Sequence, residues 1–354
     1  MMHKTQIVFD AERMKYPHTG LYHYCLQLGA ALQQIINTEE ETLSFYVRPG
    51  HEKAFGEHAD YIEQHSLHKF YMPVKKGQVW HTTYQATNYF PFTKKAKVVF
   101  TIHDLNVVHE NKMSPQRLKK ELNKIQKRIN AADHIVAISH FTLADIKKHL
   151  KLHNKPTTVI HNGCNIKLMD NIQAPKIFPT ASFLFTLGTI NAKKNFHVLP
   201  CLLAGNDKQL FIAGITDDEN YKQQIINEAV KFGVEQRVVF AGPINENDKQ
   251  WYMQHCEAFV FPSLAEGFGL PVIEAMYFGK PVIISNSTAL PEIGGDAAYY
   301  FTDFVPENMQ MILAQSLASY HADLSAKTNI MARAKMFTWQ DAAEKYLNVY
   351  RSLY

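Results

Sequence analysis

The stretch that decides the fold is AFVFPSLAEGFGLPVIEAM, residues 258–276. Its first six residues, AFVFPS, are apolar except for Ser263, which is typical of a strand that is covered on both faces. A loop with Gly267 and Gly269 follows, and a helical pattern begins at Pro271, where the missing N–H of proline costs nothing. Gly279 ends that pattern just before the next apolar run. This order predicts a strand, a loop and a helix in a parallel sheet.

The same alternation continues on both sides of this stretch. Helical patterns cover 21–34, 115–131, 142–150, 195–203, 217–232, 246–255 and 271–278. The predicted strands of the first half are 6–10, 43–47, 79–84, 97–102, 134–139 and 157–161, and those of the second half are 183–188, 209–214, 237–242, 258–263 and 281–285. Each half therefore predicts a doubly wound, Rossmann-like parallel α/β sheet.

The chain of 354 residues is too long for one typical core, so we expect two domains. Residues 164–182 contain two prolines and little periodicity, which indicates a linker. We predict a first domain over 1–165 and a second over 166–336. The tail 337–354 has the pattern of an amphipathic helix and is expected to pack back on the first domain.

The composition is that of an ordinary soluble protein, with 46% hydrophobic and 20% charged residues. It contains no run of eighteen apolar residues, and its first residues, MMHKTQIVFD, predict a strand rather than a signal peptide. The four cysteines are far apart and have no metal-ligand spacing. We therefore expect a cytoplasmic protein with reduced thiols, and a net charge of only +4 argues against nucleic-acid binding.

Residues 263–276 predict an anion site. Gly267 and Gly269 let backbone N–H groups turn toward a ligand without obstruction by a Cβ. The free N–H groups at the start of the following helix add a positive dipole end, which suits a diphosphate.

Two carboxylates flank this predicted anion site. Glu266 precedes it and Glu274 lies just inside the helix. Since carboxylates accept hydrogen bonds from vicinal hydroxyls, the pair suits a nucleotide sugar, one acid for the ribose and one for the sugar. The alternative is that Glu274 only stabilises the helix N-terminus and Glu266 is a loop charge.

The segment Ser263–Met276 resembles the E-x7-E signature of the retaining glycosyltransferases of family 4, also called group 1, which have the GT-B architecture of two Rossmann-like domains facing a central cleft. The resemblance covers nearly the whole chain. It extends to LGTINAKKN (187–195), TIHDL (101–105), HNG (161–163), LPEI (290–293) and FTW (337–339).

The resemblance implies roles for individual residues. Glu266 would contact the hydroxyls of the donor sugar, Glu274 the ribose, and Lys194 the diphosphate, whose charge grows as it leaves. His103 would lie near the sugar, so the expected catalytic residues are His103, Glu266 and Lys194. The remaining expected donor-binding residues are Gly20, in the loop after the first strand, Gly188, Thr189, Gly267, Phe268, Gly269 and Leu270.

Thr189 departs from the family pattern, because many members have an arginine just after Gly188. The phosphate clamp then has one cation fewer, unless Lys193 or Arg13 compensates. The Gly-Thr sequence is similar to that of mannosyltransferase-like members, which favours GDP-mannose as donor.

The implied reaction moves a hexose from a nucleotide sugar to a hydroxyl of a glycan or lipid-linked acceptor, with retention at the anomeric carbon, in polysaccharide biosynthesis. No cofactor and no metal are expected, because Lys194 and a helix N-terminus can do the charge work of a divalent ion and the chain lacks a D-x-D pair. The alternatives are a glycoside phosphorylase or nucleotide-sugar epimerase on the same fold, or a non-catalytic sugar-nucleotide-binding protein.

Positive charge is concentrated in the first half. Residues 1–160 contain 22 lysines and arginines against 14 acidic residues, a net of +8, and the remainder carries −4. The predicted helix 115–130 alone carries Arg117, Lys119, Lys120, Lys124, Lys127 and Arg128. These residues form either a solvated face or a peripheral contact with an anionic membrane at its inner face. The aromatic residues Tyr84, Tyr89, Phe90 and Phe92 either pack inside the domain or line an acceptor cleft.

Overall fold

The computed structural model describes residues 4–17, 19–109, 113–164 and 166–354. The chain divides into two units. Unit 1 comprises residues 1–165 and 337–354, and unit 2 comprises residues 166–336. Each unit is built around one parallel sheet with helices on its faces, which confirms the predicted fold class.

The sheet of unit 1 has seven parallel strands in the order β3-β2-β1-β4-β5-β6-β7. Because the order reverses between β1 and β4, their carboxyl ends leave a crevice of the kind that binds ligands in open α/β sheets. The strands are β1 Thr5–Asp10, β2 Glu41–Val47, β3 Asp60–Glu63, β4 Val79–Thr82, β5 Lys97–Ile102, β6 His134–Ala137 and β7 Thr157–Val159.

One face of this sheet is covered by the first helix and by the C-terminal helix Trp339–Arg351. The helices between the strands are α1 Gly20–Ile35, α2 Asn106–His109, α3 Pro115–Ala131 and α4 His140–His149. Ile7 and Phe9 of β1 pack in the same buried cluster as Tyr346 and Tyr350 of the C-terminal helix. The C-terminal helix is therefore part of the core of unit 1.

Gly163 allows the chain to return to this core. A Cβ at Gly163 would lie 2.2 Å from the backbone nitrogen of Trp339, a distance that real Cβ atoms do not reach. Next to it, the Cys164 N–H donates to the Phe337 carbonyl over 2.9 Å. The HNG segment (161–163) is thus the place where the start of the C-terminal helix packs on unit 1.

The sheet of unit 2 has six parallel strands in the order β10-β9-β8-β11-β12-β13, with its reversal between β8 and β11. The strands are β8 Phe183–Leu187, β9 Gln209–Ala213, β10 Val238–Gly242, β11 Ala258–Phe261, β12 Val282–Ser285 and β13 Tyr299–Phe301. The helices are α5 Glu219–Lys231, α6 Glu246–His255, α7 Leu270–Tyr277, α8 Leu290–Gly294, α9 Pro306–Ala322 and α10 Ala326–Lys335.

One predicted helix differs in type. The stretch 195–203 forms a 3-10 helix, Phe196–Leu203, preceded by a shorter one at Ala192–Lys194. Asn195 separates the two with a left-handed backbone (φ 59°), and Pro200 lies inside the second. Since proline removes a hydrogen-bond donor and clashes with the preceding turn, a regular α-helix does not form here. Among the residues described, no helix combines the length and apolar character that a bilayer crossing requires.

Candidate active site

In unit 2, two loops meet where the strand order reverses. β8 pairs with β11, so the loops that leave their carboxyl ends, 188–195 and 262–269, lie side by side. The Leu264 N–H donates to the Lys193 carbonyl over 2.9 Å, and Ser263 Oγ lies 3.3 Å from the same carbonyl oxygen. The two motifs that the sequence places 70 residues apart therefore form one surface.

Lys194 and Glu266 are in direct contact on this surface. Lys194 Nζ lies 2.6 Å from Glu266 Oε1, and only 13% of each side chain is exposed. The Ser263 hydroxyl donates to the same carboxylate oxygen over 2.6 Å. Lys194 Nζ also lies 4.8 Å from the centroid of the Phe261 ring. The sequence suggested separate ligands for the lysine and the glutamate, and did not predict that they pair with each other.

The pairing keeps Glu266 ionised. Burial alone would raise the pKa of Glu266, but attraction from Lys194 and Lys193, with hydrogen bonds from Lys194 and Ser263, holds the pKa below its usual value. Near neutral pH the site therefore carries a carboxylate that accepts hydrogen bonds and an ammonium that donates them. An incoming ligand with both hydroxyl and phosphate groups can share this pair.

Two glycines allow Lys194 to lie against the β8 loop. A Cβ at Gly188 would come within 3.0 Å of Lys194 Cε. A Cβ at Gly214, after β9, would lie 2.0 Å from the Gly188 carbonyl oxygen. Thr189 is exposed beside them. Gly214 was not predicted as a site residue. The only feature of the sequence that marks it is its position at the end of the apolar run 209–214.

Glu274 lies on α7, where its side chain is buried in an ion pair. Glu274 is 4% exposed, and its Oε1 lies 3.2 Å from Lys249 Nζ of α6. Lys249 also contacts Glu246 over 2.8 Å. Burial opposes the charge of Lys249, but attraction from Glu274 and Glu246 outweighs it and raises the pKa of this lysine. Lys249 was not predicted as a site residue.

The start of α7 requires glycine. Gly269 caps the helix with φ 112°, and a Cβ there would lie 2.7 Å from Leu290 Cδ2. Gly267 and Phe268 are buried in the loop before it, and Leu270 is the first helical residue, partly exposed. The structure thus places the predicted backbone donors around the N-terminus of α7.

A third loop supports the glutamate. The Glu266 N–H donates to the Thr288 hydroxyl over 3.0 Å, and the Ala289 N–H donates to the Glu266 carbonyl over 3.3 Å. Thr288 has a left-handed backbone with φ 54°, which is uncommon for a branched residue. This support for Glu266 was not predicted from the sequence.

In unit 1, His103 follows β5 and is neutral near pH 7. It is 7% exposed, and burial, together with repulsion from Arg13, lowers its pKa to about 4. Its Nε2 lies 2.8 Å from the Thr83 carbonyl, which can only accept, so Nε2 carries the proton. The Tyr24 ring packs edge-on against it at 4.5 Å. His103 therefore offers its Nδ1 lone pair as an acceptor.

The structure corrects the prediction that Gly20 lies in a loop. Gly20 is the first residue of α1, and Thr19 caps the helix by accepting from the Tyr22 N–H over 3.2 Å. The loop assignment was wrong because a glycine in a polar stretch predicts a turn, whereas here it follows a capping threonine. A Cβ at Gly20 would meet no atom within 4 Å, so the backbone there does not need glycine.

Charged groups cluster after β1 and were missed in part. The Arg13 guanidinium carbon lies 4.7 Å from the Tyr16 ring centroid and 4.3 Å from that of Tyr84. Asp10 is 2% exposed, and burial, then repulsion from Glu12, raises its pKa to about 8.

Of the other predicted aromatic residues, Tyr89 and Phe90 are buried and Phe92 is exposed.

Comparison with known proteins identifies the family. Residues 170–328 match the model of the glycosyl transferases group 1, and residues 77–168 match that of glycosyltransferase family 4. The chain belongs to this family and is a glycosyltransferase.

The relatives include mannosyltransferases. O-antigen chain mannosyltransferase B of Escherichia coli is 23% identical over 392 aligned positions, which cover 98% of this chain and 100% of that protein. Among solved structures, sucrose-phosphate synthase from Thermosynechococcus elongatus is similar with a TM-score of 0.75 and 19% identity, over 99% of both chains. An Anabaena protein in complex with UDP and glucose is similar with a TM-score of 0.71 and 16% identity, over 98% of this chain and 100% of that one. At these identities the likeness shows the fold, which is GT-B.

Proposed function

We propose that this glycosyltransferase moves mannose from GDP-mannose to a hydroxyl of a glycan or lipid-linked acceptor, with retention at the anomeric carbon. The observation that carries the proposal is the Lys194–Glu266 pair, 2.6 Å apart at the strand reversal of unit 2. The mannosyltransferase of E. coli, which the chain matches over its whole length, favours mannose as the sugar.

Lys194 would stabilise the leaving nucleoside diphosphate. Negative charge grows on the diphosphate as the glycosidic bond breaks, and a fixed ammonium in a buried site stabilises that charge without reorganisation. The N–H groups at the start of α7 add donors and a positive dipole end. These groups would do the work of a divalent metal, and the proposed reaction therefore needs none.

The carboxylates would orient the donor. Glu266, ionised and held by Ser263 and Lys194, would accept hydrogen bonds from sugar hydroxyls. Glu274, on the helix, would accept from the ribose hydroxyls. His103, with its proton on Nε2, would accept from a further sugar hydroxyl through Nδ1. Departure of the diphosphate would leave an oxocarbenium-like sugar. The acceptor hydroxyl would attack on the face that the diphosphate leaves and give its proton to the departing diphosphate, which retains configuration without an enzymic nucleophile.

The test is a product assay with GDP-mannose and, as a comparison donor, UDP-glucose, each with mannosyl oligosaccharide or lipid-linked oligosaccharide acceptors. We expect free GDP and an elongated acceptor. The anomeric NMR signal of the new linkage should show that the transferred sugar keeps the anomeric configuration it has in the donor. Turnover that requires orthophosphate would indicate a phosphorylase instead. An altered nucleotide sugar without free diphosphate would indicate an epimerase, and binding without turnover a non-catalytic protein.

A further inference from the structure

Part of one face of the first sheet is covered by chain without α-helix. Residues 64–77 and 86–96, which we call the coil cover, contain only one short 3-10 helix, Ser66–Lys69. Their two segments are joined near both ends: Gln64 Nε2 donates to the Tyr89 hydroxyl over 2.5 Å, and the Gly77 N–H donates to the Lys95 carbonyl over 3.1 Å. Met72 and Tyr89 pack beneath, on Trp80 of β4.

The coil cover exposes large apolar side chains that its small core leaves outside. Phe70 is 89% exposed and Tyr71 is 71% exposed, while Leu67 and Phe92 are each 63% exposed. Single exposed apolar residues are ordinary, but three in five consecutive positions on one short segment are not.

The same segments are strongly basic. Residues 64–77 and 86–96 contain no aspartate or glutamate. Their five lysines, all exposed, are Lys69, Lys75, Lys76, Lys94 and Lys95. The coil cover therefore combines exposed aromatic residues with exposed lysines and has no acid of its own to neutralise them.

The basic helix α3 lies beside the coil cover on the same face of the sheet. Trp80, beneath the coil cover, is the register partner of Val98, which packs in the cluster beneath α3. Partners in a parallel ladder point to the same face. Arg128 of α3 donates to the Thr87 carbonyl of the coil cover and is buried, so it is not part of the exposed basic surface expected from the sequence. At 100° per residue, the exposed Arg117, Lys120, Lys124 and Lys127 fall within an arc of about 80°.

We infer that this face of unit 1 docks on an anionic lipid bilayer through the coil cover. Leu67, Phe70, Tyr71 and Phe92 would enter the interfacial layer, where aromatic side chains are favoured, and the lysines would face lipid phosphates. α3 would add long-range attraction. Charge alone fits other polyanions, but exposed aromatic residues among lysines fit a lipid interface. The inference goes beyond the proposed function and does not depend on which sugar is transferred.

The experiment is co-sedimentation of the full chain with vesicles of phosphatidylcholine containing 30% phosphatidylglycerol, and with pure phosphatidylcholine, at low and high salt. We expect binding to the anionic vesicles only, weaker at high salt because a Debye length shortens from about 10 Å at 0.1 M to about 3 Å at 1 M. Phe70→Ser/Tyr71→Ser should weaken binding about tenfold or more. Lys75→Glu/Lys76→Glu should weaken it by at least about fivefold per lysine.

Leu324→Ser is the matched control, since Leu324 is 98% exposed and belongs to unit 2 rather than to the coil cover. It should bind vesicles as the wild type does. Circular dichroism of each variant checks the fold, which these exposed substitutions should leave intact. The inference is overturned if the wild type ignores anionic vesicles at low salt. It is equally overturned if Phe70→Ser/Tyr71→Ser binds normally, or if only Lys120→Glu/Lys124→Glu/Lys127→Glu reduces binding.

Discussion

At the scale of single residues, the two acids of the E-x7-E segment have different surroundings. Glu266 is paired with Lys194 and hydrogen-bonded by Ser263, whereas Glu274 contacts Lys249 on α6. The sequence identified both acids and Lys194 as candidates. It could not identify their mutual contacts, because these join residues 72 and 25 positions apart and depend on which strands are neighbours.

Glu274 should recognise ribose hydroxyls. Wild-type protein should bind GDP about tenfold more tightly than 2′,3′-dideoxy-GDP, because the carboxylate loses its hydroxyl partners in the second ligand. Glu274→Gln should bind the two ligands almost equally, as measured by calorimetric titration.

Glu246→Gln is the control for Glu274→Gln, since both acids contact Lys249 but Glu246 is 45% exposed. It should keep the wild-type preference for GDP. A Glu274→Gln protein that still prefers GDP tenfold would show that the ribose lies elsewhere.

The raised pKa of Asp10 should give the protein an unusual pH dependence of stability. Its pKa of about 8 in the folded protein lies above the 3.8 of an ordinary aspartate, so the folded state holds a proton that the unfolded state has released. Between about pH 4 and pH 8 this contribution to the free energy of unfolding therefore falls as pH rises, and it is constant above pH 8.

Asp10→Asn should remove the contribution of this carboxyl group to the change of the free energy of unfolding with pH. Relative to wild type, the variant should gain more than about 1.4 kcal/mol of stability from pH 5 to pH 8, the free energy of one pKa unit. Urea unfolding in a Trp251→Phe background reports unit 1 through Trp80 and Trp339. If the free energies of unfolding of wild type and variant change in parallel from pH 5 to pH 8, the raised pKa of Asp10 is contradicted.

At the scale of helices and strands, the sequence predicted eleven strands and the structure confirms all of them. The two it missed, β3 and β13, are edge strands. An edge strand buries less surface, and DYIE (60–63), exposed at both ends, lacks the continuous apolar run of a central strand. Several predicted strands run two residues too far at the carboxyl end, for example 258–263 against 258–261, because the chain stays buried as it enters the site.

The C-terminal helix is joined to the core of unit 1 by hydrogen bonds as well as by packing. The Tyr350 hydroxyl lies 2.7 Å from His81 Nδ1, and the Tyr346 hydroxyl lies 3.0 Å from Thr101 Oγ1 and 2.8 Å from the Tyr24 hydroxyl. Burial, with repulsion from His103, lowers the pKa of His81 to about 3, so the ring stays neutral and its Nδ1 can accept from the Tyr350 hydroxyl.

Tyr350→Phe should destabilise unit 1 by about 1–3 kcal/mol, because it leaves His81 Nδ1 buried without a partner. Asn348→Ala, an exposed position on the same helix, should change stability by less than about 0.5 kcal/mol. Urea unfolding in the Trp251→Phe background measures both. Equal stability of Tyr350→Phe and Asn348→Ala would show that the hydrogen bond contributes nothing.

At the scale of the whole molecule, the two sheets reverse their strand order at β1/β4 and β8/β11, and most candidate residues follow strands next to these points. Family membership and fold were predictable from the motifs, because each motif is local in sequence. The donor base, the sugar and the acceptor were not, because they depend on side chains that converge only after folding.

Glycosyl transfer should not depend on a divalent metal. With Lys194 and the α7 N-terminus stabilising the diphosphate, activity in excess chelator should match activity in added Mg²⁺ or Mn²⁺ within about twofold. Activity lost in chelator and restored by either ion would mean that a metal, rather than Lys194, neutralises the leaving group.

The central claim, that unit 2 binds a nucleoside diphosphate at the Lys194–Glu266 pair, has a direct test with an internal control. Lys208 and Glu257 form a second ion pair of the same length, 2.6 Å, with 20% and 22% exposure, but before β9 and β11 at the amino edge of the same sheet. Calorimetric titration of GDP should show at least tenfold weaker binding for Lys194→Met, the loss of one charge-assisted contact of about 1.5–3 kcal/mol. Lys208→Met should bind within twofold of wild type. Equal affinities for all three proteins would contradict the account.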